Sequence, residues 1–100
     1  MGVFMAHNPF SPGSTIILNA TASSSSGSIT SNQDQIRVYN AGPNTVFFRS
    51  GVGAQTAVVT DTPIPSGVVE VFSKGVADTI AAICSATQTA TVYVTSGGGV

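Results

Sequence analysis

Runs of β-branched, aromatic and aliphatic residues recur at roughly ten-residue intervals, separated by clusters of Gly, Pro, Asn and Ser. This rhythm constrains the fold more than any other feature, because it leaves short strands and turns and no amphipathic helix. The clearest run is the last, where Ala90, Val92 and Val94 alternate with Thr91, Tyr93 and Thr95. Such two-residue periodicity marks a strand with one face buried. Ile36 and Val38 alternate in the same way with Arg37 and Tyr39. Further strands are expected over residues 14–20, 45–49, 68–73 and 79–84, with a weaker one over 54–60. Together they predict an all-β domain: an antiparallel β-sandwich or jelly-roll-like barrel of about seven to eight short strands.

The connecting segments carry expectations of their own. Residues 23–28, four Ser followed by Gly and Ser, read as a mobile polar loop. Residues 40–44 concentrate turn formers, Gly42 and Pro43 among them, so 36–49 reads most simply as a hairpin. Residues 61–67 cannot be a central strand, because Pro63 and Pro65 lack N–H donors. The chain divides into an arm over 1–13, a β-sandwich domain over 14–96 and a flexible Gly-rich tail over 97–100.

Charge is the scarce commodity. The 100 residues include three Lys or Arg, four Asp or Glu and one His. With no basic run there is nothing to neutralise a phosphate backbone, so nucleic acid is not an expected partner. No stretch approaches the roughly 18 apolar residues of a membrane-spanning helix. Residues 1–9 lack the basic and apolar regions of a secretory signal, so the chain is expected to be made in the cytoplasm.

Reaction chemistry finds little to use. His7 has no neighbouring His or Cys to share a metal ion. Cys84 has no second Cys and lies in an apolar run, where a buried, inert thiol is expected. Around no Ser is there a Gly-x-Ser-x-Gly elbow. Asp61 and Glu70 are one of many equivalent carboxylate pairs, and residues 51–53 open no helix that could cradle a dinucleotide. Neither catalytic residue, metal nor cofactor is expected.

What remains are surfaces. Val46, Phe47 and Phe48 make their strand apolar on both faces, and in 68–73 Val68, Glu70 and Phe72 oppose Val69 and Val71. A two-layer domain ordinarily leaves one face of each strand wet. Either loops cover the second face or another polypeptide does. Edge strands point the same way, since Lys74, the one Lys, sits in a turn and only Pro63 and Pro65 can block an edge. Arg37, Arg49 and Glu70 lie within strands, either solvated or in an Arg–Glu contact that sets register. The candidate protein–protein interface is Phe4 and Phe10 of the arm with Arg37, Tyr39, Phe47, Arg49, Glu70 and Phe72. Tyr39, Phe47 and Tyr93 could instead form an aromatic platform for a sugar or receptor.

The stretches 36–48, running from Ile36 through Asn40, Gly42 and Pro43 to Phe48, and 61–72, from Asp61 through Pro63 and Pro65 to Phe72, resemble small virion proteins of tailed bacteriophages. These are the head decoration or cement proteins encoded beside capsid genes. The resemblance covers roughly residues 36–95 and implies a β-rich, non-enzymatic protein on the outer capsid surface of the virion. The implied partners are the major capsid protein and the chain itself, as homodimer or homotrimer, with neither nucleic acid nor membrane involved. The alternative is a carbohydrate- or receptor-binding β-sandwich module of a virion head fibre, tail or neck.

Overall fold

The computed structural model describes residues 11–29 and 34–98. Eight strands form: β1 (Ser11–Ala20), β2 (Ser25–Ser28), β3 (Gln35–Pro43), β4 (Val46–Gly51), β5 (Thr62–Ile64), β6 (Val69–Ser73), β7 (Thr79–Ile83) and β8 (Ala90–Gly98). All pair antiparallel, in two four-stranded sheets ordered β1-β8-β3-β6 and β2-β7-β4-β5. This is the expected β-sandwich. β1 starts at Ser11 and pairs with β8 as far as Gly98, so strand pairing runs past the sequence-read limits of 14 and 96 at both ends.

Alternation decides which side chains enter the core. From the first sheet come Leu18, Ile36, Val38, Val92 and Val94, and from the second Val46, Phe48, Ile64, Ile80 and Ala82. Cys84 joins this cluster as a free buried thiol, and its burial pushes the thiol pKa upward. Gly27 lets the sheets close at one side: a Cβ there would stand 2.9 Å from Ile16 Cδ1 and 3.3 Å from Leu18 Cδ2.

Three connections differ from the sequence expectation. Residues 36–49 are not a hairpin, because β3 and β4 belong to different sheets. The chain turns a corner at 40–44 instead, with Gly42 at φ 91°, a left-handed conformation favourable to glycine. Asn40 holds the corner. Its fully buried amide donates from Nδ2 to the carbonyls of Asn44 and Ile64, both at 2.8 Å, and its Oδ1 accepts the Gly42 N–H at 2.8 Å. One side chain thereby ties the first sheet to the second.

The Ser-rich segment is a strand rather than a loop, since Ser25 to Ser28 pair residue by residue with Ala82 to Thr79. Residues 54–60 are the reverse, a loop where a weak strand was expected. Their main chain bonds to side chains instead of a ladder: the Ala57 N–H donates to Ser24 Oγ at 2.8 Å and the Val58 N–H to Asp61 Oδ2 at 2.8 Å. Thr62–Ile64, within the expected 61–67 loop, pairs as a three-residue edge strand, which tolerates Pro63.

Candidate interaction surface

The outer faces of the two sheets are built differently. On the second sheet, Arg49 and Ala81 are cross-strand partners facing outward, yet Ala81 is fully buried. The loop over 52–61 accounts for this. Ala57, itself buried, anchors it on Ser24, and the Gly53 N–H donates to Asp78 Oδ1 at 3.0 Å. Arg49 donates from Nε and from Nη2 to the two Asp61 carboxylate oxygens, both at 3.1 Å.

These latches show in the acidities. The Val58 N–H, followed by the Arg49 guanidinium, holds the Asp61 carboxyl below the usual carboxylate range against the opposing pull of burial. Asp78 is lowered first by the Gly53 N–H and then by the Thr79 hydroxyl at 3.0 Å.

No described segment covers the outer face of the first sheet in that way. The register sets Ile17 opposite Tyr93, Tyr93 opposite Tyr39 and Tyr39 opposite Val69, one row across all four strands. Ile17 is 56% exposed, Tyr93 37% and Val69 39%, with Tyr39 half-buried among them, so most of the row is open to solvent. The two tyrosine rings lie 6.0 Å apart between centres, inclined by 21°. The adjacent row runs Thr15, Thr95, Arg37 and Val71, with the threonine hydroxyls bonded to each other at 2.8 Å and Thr95 itself buried between its neighbours. Arg37 is the single charged residue in these two rows. A shallow depression of about 490 Å³ lies among Thr15, Arg37, Tyr39, Ala41, Tyr93 and Thr95.

The expected interface residues therefore fall in three places. Arg37 and Tyr39 stand on the open face. Phe47 and Arg49 are outward on the second sheet, so Phe47 is remote from any platform that Tyr39 and Tyr93 form. Glu70 and Phe72 are on the opposite side of β6, turned toward the second sheet, where Phe72 meets Phe48 with ring centres 4.9 Å apart. There a cleft of about 510 Å³ opens between Phe72 and the Arg49–Asp61 pair. Arg49 thus pairs with Asp61 rather than Glu70. Arg37 and Glu70 occupy opposite faces of neighbouring strands, which rules out their contact within one chain. Phe4, Phe10 and His7 lie outside the described residues.

Sequence reasoning passed over Ile17, although the alternation of Thr15, Ile17 and Asn19 with Ile16, Leu18 and Ala20 carries the signal. Among the described residues, no helix is long and apolar enough to cross a membrane, and no three His, Cys, Asp or Glu gather to hold a metal ion. Compared with protein-family models, with curated proteins and with solved structures, the chain finds no match.

Proposed function

We propose that the chain is a structural virion protein that binds the outer capsid surface and cements neighbouring capsid subunits as a homo-oligomer. One observation carries the reading: the outer face of the first sheet presents Ile17, Tyr93, Tyr39 and Val69 in an uninterrupted row, whereas the chain covers the second sheet with its own loop. A row of apolar and aromatic side chains across four strands, exposed on three of them, is a surface suited to protein contact, and tyrosine and arginine are the side chains that such contacts favour. A face carried on paired strands is also rigid, so little ordering entropy opposes docking. The resemblance of 36–48 and 61–72 to decoration proteins supplies the host.

The test is co-sedimentation of the purified chain with preformed tailed-phage capsids, followed by heating of decorated and bare shells. Saturable binding that raises the shells' heat resistance, and that Tyr93→Ala abolishes while unfolding stays cooperative, is the expected result. Free chain remaining in the supernatant at every shell concentration would overturn the reading.

The depression beside Arg37 favours one rival, a glycan-binding module, because the rings of Tyr39 and Tyr93 stand there with a guanidinium. Saturable sugar binding by the isolated chain, lost in Tyr93→Ala and unaccompanied by shell binding, would establish that rival instead.

A further inference from the structure

Among the described residues the sandwich has four edge strands, and three carry a Pro or span no more than four residues. β1 carries Pro12 and a register shift between Pro12 and Thr15. β5 is three residues long and contains Pro63. β2 is four residues of Ser and Gly. The fourth, β6, spans five residues with no Pro, no Lys and no register shift; its one charge, Glu70, is turned toward the second sheet, and Val69 (39%) and Val71 (49%) are exposed. An edge of this kind is a template for another strand.

The hydrogen-bond phase specifies which groups are on offer. At the ends of the β3–β6 ladder, the Lys74 N–H donates to the Asp34 carbonyl at 2.8 Å and the Asn40 N–H to the Val68 carbonyl at 3.1 Å. Antiparallel pairs alternate, so the even-numbered residues of β6 turn their main-chain groups toward β3. The N–H and C=O groups of Val69, Val71 and Ser73 point away from the sheet.

We propose that β6 is the seam of a homodimer, pairing antiparallel with β6 of a second copy about a two-fold axis at Val71. It rests on the homo-oligomer in the reading above and not on the capsid. In this register Val71 opposes Val71 of the second copy and Val69 opposes its Ser73, so every outward group of the strand meets a partner. A one-residue slip sets outward groups against groups already used in the β3 ladder. Sliding by two residues in one direction sets Glu70 against Glu70 of the second copy. Sliding by two in the other carries Val69 past the strand end, opposite Gly75. The axis at Val71 alone pairs all five residues and keeps the two carboxylates apart, each facing a Phe72.

A net charge of −1 per chain adds little repulsion. The two open faces join into a single eight-stranded surface in which the Arg37 rows meet at the valines. A five-residue seam is at the low end of interface sizes, so the dimer is concentration-dependent.

Sedimentation equilibrium of the full chain over a concentration series, with no shells present, tests this apart from the capsid reading. A monomer–dimer equilibrium is expected. Val71→Pro removes one outward N–H and leaves the β3 ladder intact, so it abolishes the dimer while cooperative unfolding persists. Val71→Cys, treated with diamide, which takes up the two electrons and two protons of the joining thiols, gives a covalent dimer. Its Cα atoms would be about 5.5 Å apart, within disulfide reach. Val69→Cys does not cross-link, since its counterpart is four residues away along the strand, about 13 Å. Monomer at every concentration, a trimer, a dimer that Val71→Pro leaves intact, or equal cross-linking of the two cysteine variants would each overturn the proposal. If Val71→Pro does not fold, the cysteine pair decides.

Discussion

Changing Asn40 to Asp replaces one nitrogen by oxygen in a fully buried side chain and tests whether the corner holds the sheets together. The amide makes three hydrogen bonds at 2.8 Å, two donated and one accepted. An Asp keeps the bond from the Gly42 N–H but turns its second oxygen toward the carbonyls of Asn44 and Ile64, both acceptors. Two lost bonds, which strand the buried Ile64 carbonyl and the part-buried Asn44 carbonyl, cost about 1–1.5 kcal/mol each, and burying a carboxylate adds to this. The expected loss at neutral pH is about 4 kcal/mol, a large share of the roughly 5–15 kcal/mol that holds a small domain folded. The same burial raises the folded-state pKa of the introduced Asp. Once protonated, its O–H can serve one of the two carbonyls. A raised acid pKa penalises the folded state as pH climbs through the ordinary carboxylate range, so the deficit grows with pH. Asn40→Ala, which introduces no titrating group, should lose about 3 kcal/mol with little pH dependence. Urea unfolding of the wild type and both variants at several pH values measures all three quantities. An Asn40→Asp protein within about 1 kcal/mol of wild type at neutral pH, or a deficit flat with pH, would refute the account of the corner.

The loop latch has the opposite pH sign. Asp61 and Asp78 are both lowered in the folded state, so their contribution is whole above the ordinary value near 3.8 and is lost as pH falls through their lowered values. The Val58 and Gly53 amide resonances should move together toward disordered-chain positions in that acidic window, before the strand amides do; simultaneous loss of loop and sheets would count against a separable latch. Asp61→Ala, which removes the Val58 and Arg49 bonds from a partly exposed site, should cost about 1 kcal/mol in urea unfolding. Thr87 occupies φ 64° in the turn closed by the Gln88 N–H to the Ser85 carbonyl, a left-handed position where a β-branched residue is strained. Thr87→Gly should stabilise by about 1 kcal/mol, and unchanged or lower stability would show that the turn carries no such strain.

The sequence made strand existence and side-chain facing readable, because alternation with period two is a local signal. Ile36 and Val38 inside, Arg37 and Tyr39 outside, and the same for β8, follow from that signal alone. Sheet membership is not local. Gly42 and Pro43 announce a turn equally for a hairpin and for a corner, and the Asn40–Ile64 bond that decides between them spans 24 residues. The misplacement of Phe47 and Arg49 follows directly, since both ride on the strand beyond the corner. β2 went unseen for a different reason: a Ser and Gly strand has no apolar alternation to display and is held by main-chain pairing to β7. The 54–60 segment looked like a strand because Ala57, Val58 and Val59 suit one. Its backbone donors, however, found Ser24 and Asp61 first.

Scarcity of charge links these findings to function. Three of the seven charged side chains, Arg49, Asp61 and Asp78, fasten or brace the loop that shields the second sheet. The open face of the first sheet is left with Arg37 in its two central rows, flanked by aliphatic and aromatic groups. A sheet that faced only water would be expected to carry polar residues at Ile17, Tyr93 and Val69. In the proposed reading, that face and the β6 edge serve two partners, a shell and a second copy, and the residues separate them. Val71 belongs to both surfaces. Ile17 stands on the far strand of the sheet, three strands from the proposed seam. A charge at Ile17 should therefore weaken shell attachment and leave the dimer equilibrium unchanged. A charge at Val71 should disturb both, because it would open the seam and interrupt the surface that the seam completes.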